Sequence, residues 1–207
     1  SPNGDSLNAL GEFPWMRMIT TPPTGGGAGP RLVESGPPVF DAETEVAVTA
    51  HGLWVGTTKS NEVLWLASNG QVRRVLRWEG TDRFVTEQIK DAYYAELRER
   101  LVARSSGESV PEVQRGRPFA DELPSHGDLV ARADGGLWVQ EFPVPGTDRA
   151  AHWRAFNSEG LPEGKIEIPP DSRVLWVGPE RVLLLEQNEL DVQFVRLYSY
   201  QPGTDAR

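Results

Sequence analysis

The three histidines of this 207-residue sequence are the first candidates for catalysis or metal binding. His51, His126 and His152 stand far apart, and none belongs to an H-x-x-x-H pair of the kind that brings two imidazoles to one metal ion. The surrounding residues predict a turn at His51, a loop before a strand at His126 and the start of a strand at His152. We therefore interpret all three as solvated or structural residues.

Other patterns that carry chemistry are absent or incomplete. The sequence has no cysteine, which excludes disulfides, thiolate nucleophiles and cysteine-ligated zinc. It contains neither a G-x-S-x-G nucleophile motif nor a Walker loop. The glycines of GGGAG (25–29) lack the Lys-Ser/Thr pair of a phosphate-binding loop, and the oxygen-rich NELD (188–191) fits a β-turn better than an EF-hand. The residues predict no catalytic residue and no cofactor-binding residue, and they do not identify a metal site.

The charge and hydropathy of the chain exclude two classes of partner. The formal net charge is -9, whereas a nucleic-acid groove needs clustered Lys and Arg to replace the counterions of the phosphates. The same acidic excess argues against docking on anionic lipid. No apolar run approaches the ~20 residues that a membrane-spanning helix needs. We therefore expect no nucleic-acid partner and no membrane span.

Short apolar strands separated by turns begin at residue 44. TEVAVT (44–49), LWVGTT (53–58), VLWLAS (63–68) and QVRRVLRW (71–78) follow one another closely. Asn69-Gly70 is a strong hairpin signal, because both central positions of such a turn need positive φ. Four such strands predict an antiparallel meander. Before them, FPWMRMI (13–19) is compatible with a strand, and the Pro/Gly-rich residues 20–38 predict a surface loop.

A helix is predicted from about Glu87 to Ala103. Apolar residues recur four positions apart and form one stripe: Ile89, Tyr93, Leu97 and Leu101. Thr86 is a suitable N-cap, because its hydroxyl can accept a hydrogen bond from the first turn. The stripe favours docking on the domain's own sheets, and binding of a partner protein is the alternative.

The strand pattern returns at residue 128 and repeats. Strands are predicted in 128–142, 151–156 and 165–169, and then near 174–177, 181–186 and 192–198, so the last unit holds only three. Leu137-Trp138-Val139 repeats Leu53-Trp54-Val55 in the second strand of its unit, and Val182, the matching place in the third unit, follows Leu137 by 45 residues. Four strands in about 40–45 residues are the length of one β-propeller blade.

This repeat gives a role to four of the seven tryptophans. Trp54 and Trp138 lie in second strands, and Trp65 and Trp153 in third strands, where the gap between neighbouring blades is wide. Each buried aromatic ring removes about 150–250 Å² from water, so we interpret these four as packing between blades. The alternative is an aromatic platform for a ligand.

The predicted fold is all-β, with about three four-stranded antiparallel propeller blades, a partial propeller, and one inserted α-helix. We divide the chain into five parts: an N-terminal strand and Pro/Gly-rich loop at 1–43, a blade at 44–81, a helical insertion and loop at 82–127, a blade at 128–170, and a final incomplete blade at 171–207.

Three stretches resemble a known family: DGGLWVQEFPVPG (134–146), HWRAFNSEGLPEGKIEIP (152–169) and RVLLLEQNELDVQFVRLYSY (181–200). They are similar to the C-terminal half of bacterial six-bladed β-propeller proteins of the NHL/TolB-like superfamily. RVLRWEGTDRFVTEQIKDAYYAELRERL (74–101) resembles the helical insertion of some extracytoplasmic members. The resemblance implies a periplasmic or extracellular location and a non-catalytic module that binds an unknown small molecule or protein on its loop face.

The resemblance also implies an alternative function. Lactonase-like and strictosidine-synthase-like propellers are metal-dependent hydrolases whose innermost strands hold a central cation. Candidates for such a role here are carboxylates at strand starts, such as Glu45, Asp128 and Asp171. A fragment without independent activity is the third reading.

The sequence departs from the full family pattern, because six blades need far more strands than this chain contains. Three explanations remain: the chain is about half of a longer protein, two copies pair, or FPWMRMI (13–19) covers the open edge of the last blade. An uncovered edge strand invites association, so we expect self-association through an open blade edge.

Overall fold

The structure, a computed structural model, describes residues 9, 11–21, 34–80, 82–104, 116–148, 150–188, 190 and 192–201. A short hairpin comes first, formed by β1 (Ile19–Thr21) and β2 (Glu34–Gly36). The first sheet consists of β3 (Thr44–Thr49), β4 (Gly52–Thr57), β5 (Glu62–Ala67) and β6 (Val72–Arg77). Helix α1 (Glu87–Arg104) follows. The second sheet consists of β7 (Leu129–Ala131), β8 (Leu137–Gln140), β9 (Ala151–Phe156) and β10 (Pro162–Ile168). The third consists of β11 (Arg173–Val177), β12 (Arg181–Gln187) and β13 (Gln193–Ser199).

Each of these three sheets is an antiparallel meander in which consecutive strands pair. The first strands lie next to one another, since β7 contacts both β3 and β11. A parallel bridge joins Arg132 to Val177, and the Ala133 N–H donates to the Val177 carbonyl at 2.8 Å. The chain is therefore an all-β partial propeller with one inserted helix, as the sequence predicts, and its first strands form the inner edge of the stack.

The second sheet is the middle layer and is buried on both faces. Its period of two places Leu137 and Val139 in the core shared with the first sheet, and Trp138 between them in the core shared with the third. The first core contains Ala47, Trp54, Val63, Leu76, Leu129, Leu137, Val139 and Phe156. The second contains Trp138, Trp153, Ala155, Ile168, Val174, Val177, Val182 and Leu184. Alternating apolar side chains thus stack the three sheets.

The four predicted packing tryptophans lie between sheets. Trp54 and Trp138 are fully buried, and each faces a second tryptophan, with ring centroids 6.5 Å apart for Trp54 and Trp65 and 6.2 Å apart for Trp138 and Trp153. Trp65 is partly buried against the first core. The role of these rings in packing between sheets is confirmed, and the ligand-platform alternative is wrong for the three buried rings, Trp54, Trp138 and Trp153.

The helix agrees closely with its prediction. The Thr86 hydroxyl accepts the Ile89 N–H at 3.3 Å and caps the first turn. Tyr93 and Tyr94 pack edge-on against Phe119, and Phe40 contacts both Tyr93 and Phe142. The helix is therefore docked through an aromatic cluster on the loops of its own domain, rather than on its sheets as predicted. Among the helices of the described residues, none is long and apolar enough to cross a membrane.

The prediction for the N-terminal segment is wrong. Residues 13–18 form no strand, and only Ile19 of FPWMRMI lies in one, where it pairs with Gly36. Instead, Thr44 holds the segment, because its N–H donates to the Trp15 carbonyl at 3.1 Å and its hydroxyl donates to that of Pro14. Pro14 has no N–H to donate to a ladder, and Thr44 binds the carbonyls of Pro14 and Trp15 instead. Consequently the segment lies beside β3, and β13 is not covered by it. The GGGAG glycines lie outside the described residues.

The two ends of the stack differ. At one end, which we call the tight-turn end, short hairpins connect the strands. Gly70, Gly135 and Gly160 adopt positive φ there, and the side chain of Asn69, Asp134 or Asn157 accepts a nearby backbone N–H in each turn. The opposite end, which we call the long-loop end, carries the N-terminal segment, helix α1 and the longer connections.

Candidate functional site

A groove of about 630 Å³ opens at the long-loop end, and we call it the end groove. Its walls are residues 14–17, 40–43, 57–59 and 119–124 together with Arg83. Trp15 is 63% exposed and forms part of the lining. The lining also holds three cations and four carboxylates: Arg17, Lys59, Arg83, Asp41, Glu43, Asp121 and Glu122. An exposed aromatic ring beside mixed charges is a surface suited to binding.

Backbone hydrogen bonds fix the walls of this groove. The Thr58 N–H donates to the Glu43 carbonyl at 2.8 Å, and the Glu43 N–H donates to the Thr58 hydroxyl at 2.9 Å. Arg17 pairs with Asp41 at 3.2 Å. The groove is therefore preformed, although it is built from loops.

Arg83 is the main cross-tie of the long-loop end. Its guanidinium donates to the carbonyls of Leu123 and Lys59 at 2.7 and 3.1 Å, and it pairs with Glu122 at 3.0 Å. The planar fork of arginine reaches three acceptors on two loops at once. Arg83 also lies between two cavities, since it lines both the end groove and a second, smaller space.

The smaller space, which we call the inner cavity, has a volume of about 260 Å³. Trp78 and His126 line it on one side, and Glu141, Arg154 and Lys165 line it on the other. Arg154 and Lys165 each approach a Glu141 oxygen at 2.8 Å. Burial alone would raise the pKa of Glu141, but the hydrogen bond from Lys165 and the two positive charges outweigh it, so this pKa lies below its usual value. The carboxylate therefore stays ionised and serves to hold the two cations.

His126 is a buried structural residue. Its Nδ1 lies 2.7 Å from the Gly127 carbonyl, which assigns the proton to Nδ1 and leaves Nε2 as an acceptor. The ring fills the space above Gly56, where a Cβ would lie 2.8 Å from Nε2, and it packs on Trp78 with centroids 5.7 Å apart. Burial lowers the pKa of His126, so the imidazole is neutral. Its location in a loop before a strand agrees with the prediction.

The other two histidines take no part in these cavities. His51 is exposed in the turn between β3 and β4. His152 is half-buried in β9, and its carbonyl accepts the Glu141 N–H at 2.7 Å. Asn188 forms the predicted turn, with its side-chain oxygen accepting the N–H groups of Leu190 and Val192 at 3.0 Å each.

Two of the three carboxylates that the resemblance places at the axis do lie near each other. Burial raises the pKa of Glu45 to about 7, and the negative charges of Asp128 and Glu43 add to this effect. Asp171 lines a different cavity, of about 400 Å³, together with Glu96, Glu99 and Asp148. Among the described residues, no group of three His, Asp or Glu side chains could hold a metal ion. The three carboxylates therefore do not form a single site.

Sequence reasoning missed the three residues that shape the cavities most. Trp15 was part of a segment predicted as a strand, and Trp78 was the last residue of another, whereas β6 ends at Arg77. No local pattern marks Arg83, because its partners lie 24 to 40 residues away in sequence. Each of these roles depends on contacts between loops rather than on periodicity.

The described residues that line the end groove and the inner cavity can bind a ligand, but none of them form a pair set for proton transfer. His126, the imidazole in the inner cavity, is neutral and has Gly127 as its partner. A nucleophile needs an adjacent base that a third group holds in place. The described residues that line the two cavities include no such set of three contacting groups. Comparisons with protein-family models, with curated proteins and with solved structures give no match. Neither a family nor a relative therefore assigns a function to this chain.

Proposed function

We propose that this chain is a non-catalytic β-propeller module that binds a small molecule or a protein at its long-loop end, and that its three sheets are part of a larger six-bladed propeller. The observation that carries this proposal is the asymmetry of the stack. The tight-turn end is closed by short hairpins, whereas the end groove and the inner cavity both open at the long-loop end. Binding residues gather on loops that a rigid scaffold positions.

The chemistry of the lining favours a neutral or cationic ligand. The end groove contains four carboxylates against three cations, in a chain of net charge -9. The ring of Trp15 is exposed, and the face of an indole ring attracts a cation. An amine, or a basic or aromatic side chain of a peptide, has both features.

The seven tryptophans provide the test. In protein labelled with 5-fluorotryptophan, each ring gives a separate fluorine resonance that single Trp→Phe variants assign. We expect neutral and cationic fragments and tripeptides that bind to shift Trp15 or Trp78, and we expect Trp54 and Trp138 to stay unchanged. Trp15→Ala should weaken such binding at least about tenfold. A full screen in which neither Trp15 nor Trp78 responds would count against the proposal.

The proximity of Glu45 and Asp128 favours one alternative, a metal-dependent hydrolase of the propeller type. Calcium takes six to eight oxygen ligands, so two carboxylates are a small part of a site. A calcium titration followed by calorimetry distinguishes the two functions. Binding that Glu45→Gln and Asp128→Asn both abolish, together with turnover of lactone substrates, would replace the binding module with the hydrolase.

A further inference from the structure

The two ends of the three-sheet stack have apolar faces that no other sheet of the described residues covers. On the third sheet, the register places Trp176, Leu183 and Leu197 in one row across the strands. This row points away from the second core, because Val182 and Leu184 on either side of Leu183 point into it. Val195 and Leu197 are 58% and 55% exposed. We call this surface the third-sheet face.

A similar face lies at the other end of the stack. In the first sheet, Ala47, Trp54 and Val63 point into the first core, so the alternate residues point outward. The most exposed apolar side chains among them are all valines: Val46, Val48, Val72 and Val75. We call this surface the first-sheet face. Both faces therefore have the pattern of surfaces that already pack against a sheet inside the chain.

We propose that a second copy of this chain covers both faces, so that the third-sheet face of each copy packs on the first-sheet face of the other. A two-fold rotation about the inner edge of the stack makes both contacts at once and closes a ring of six sheets. Each contact continues the stacking that joins the first sheet to the second and the second to the third. This inference does not depend on what the end groove binds.

The area of the faces favours a closed pair over a single contact. Three strands spaced about 4.8 Å apart, with seven residues of about 3.3 Å each, cover about 330 Å². One contact between two such faces buries about 660 Å², which is below the range of stable specific interfaces. The two contacts of a closed ring bury about 1,300 Å², which lies within the range of about 1,200–2,000 Å².

The charges on the two faces are compatible with this partner. The outward positions of the described strands β11–β13 include two arginines, Arg173 and Arg181, and no acidic residue. The third-sheet face is therefore locally basic. On the first-sheet face, Glu62 is already paired with Arg77 at 2.6 Å, and it adds no net repulsion.

Light scattering after size exclusion tests the pairing. We expect the mass of two 22.9 kDa chains and the mass of one chain for the variant W176E/L197E. The control V102E/L161E makes the same charge change at exposed apolar residues on helix α1 and in the turn after β9 and should remain a pair. A single chain at every concentration, an open-ended polymer, or a face variant that pairs as well as the control would overturn the proposal.

Cross-linking decides which surfaces meet, and it does not require the charged variants to fold. The chain has no cysteine, so L64C and L197C each carry a single thiol. First strands contact first strands between sheets, which aligns β13 with β5 of the other copy. We expect a short bis-maleimide to link L64C to L197C in a mixture and to leave each alone unlinked. Self-linking of L197C would instead show pairing of two β13 edges and would overturn the proposal.

Discussion

Replacing Glu45 with glutamine should stabilise the protein at alkaline pH and leave it nearly unchanged at acidic pH. Burial and the charges of Asp128 and Glu43 raise the pKa of Glu45 from 4.5 to about 7. Between pH 4.5 and about pH 7, the folded protein therefore binds more protons than the unfolded chain does. By linkage, the free energy of unfolding falls as pH rises through this window, and the penalty is complete above about pH 7.

The size of this effect follows from the exposure of the side chain. A pKa that moves from 4.5 to about 7 corresponds to about 3 kcal/mol at 1.36 kcal/mol per pH unit. Glu45 is only half-buried, so water and salt screen the repulsion, and we expect about 1 kcal/mol to remain. Glutamine keeps the shape of the side chain and removes the charge.

Urea unfolding followed by tryptophan fluorescence at pH 5, 6, 7 and 8 measures the difference directly. Glu45→Gln should gain about 1 kcal/mol over the natural protein at pH 8 and almost nothing at pH 5. Asp128→Asn should give part of the same gain, because it removes one of the two repelling charges. Glu167→Gln, on the exposed side of β10, is the control. A gain that is equal at pH 5 and pH 8 would refute the reasoning.

Two further predictions concern the packing. Trp138→Ala removes a fully buried ring whose centroid lies 5.0 Å from that of Tyr200 and 6.2 Å from that of Trp153, so it should lower the free energy of unfolding by about 3–5 kcal/mol in calorimetry. Trp15→Ala, at a 63% exposed position, should change this free energy by less than about 1 kcal/mol. Equal losses for the two variants would contradict the inter-sheet role of Trp138. Gly56→Ala places a Cβ 2.8 Å from His126 Nε2 and 3.0 Å from a Val63 methyl group, which should cost about 1–3 kcal/mol through overpacking. Gly36→Ala meets no atom closer than 3.8 Å and is its control, and shifts in the His126 ring resonances that accompany only Gly56→Ala would locate the strain.

The regular elements could be predicted from the sequence because their signals are local. Asn69-Gly70 predicts its hairpin from two residues, although only Gly70, with a φ of 78°, adopts the positive φ expected of both. The stripe and the Thr86 cap predict a helix that ends within one residue of its observed end. The pair of Leu-Trp-Val sequences predicts two equivalent second strands, because alternate burial leaves a visible period.

The candidate site could not be predicted in the same way. Arg83 binds carbonyls on two other loops. The ring of His126 packs against Gly56, which lies 70 residues earlier in the sequence. Trp15 looks like a strand residue within FPWMRMI, but the contact of this segment with Thr44 decides its conformation. Loops have no periodicity, so their geometry depends on tertiary contacts that a single sequence does not display.

The segment that carries helix α1 leaves the first sheet and returns to it at nearly one point. Phe84 bridges to Glu122, the Leu123 N–H donates to the Arg83 carbonyl at 2.7 Å, and the Val85 N–H donates to that of Asp121 at 2.9 Å. Because residues 84 and 122 lie side by side, removing the residues between them leaves two ends that a short linker can join. Joining residue 84 to residue 122 through a short glycine-serine linker would thus give a smaller protein that lacks helix α1 and keeps the three sheets. An unrelated domain could be inserted at the same point without disturbing the three sheets.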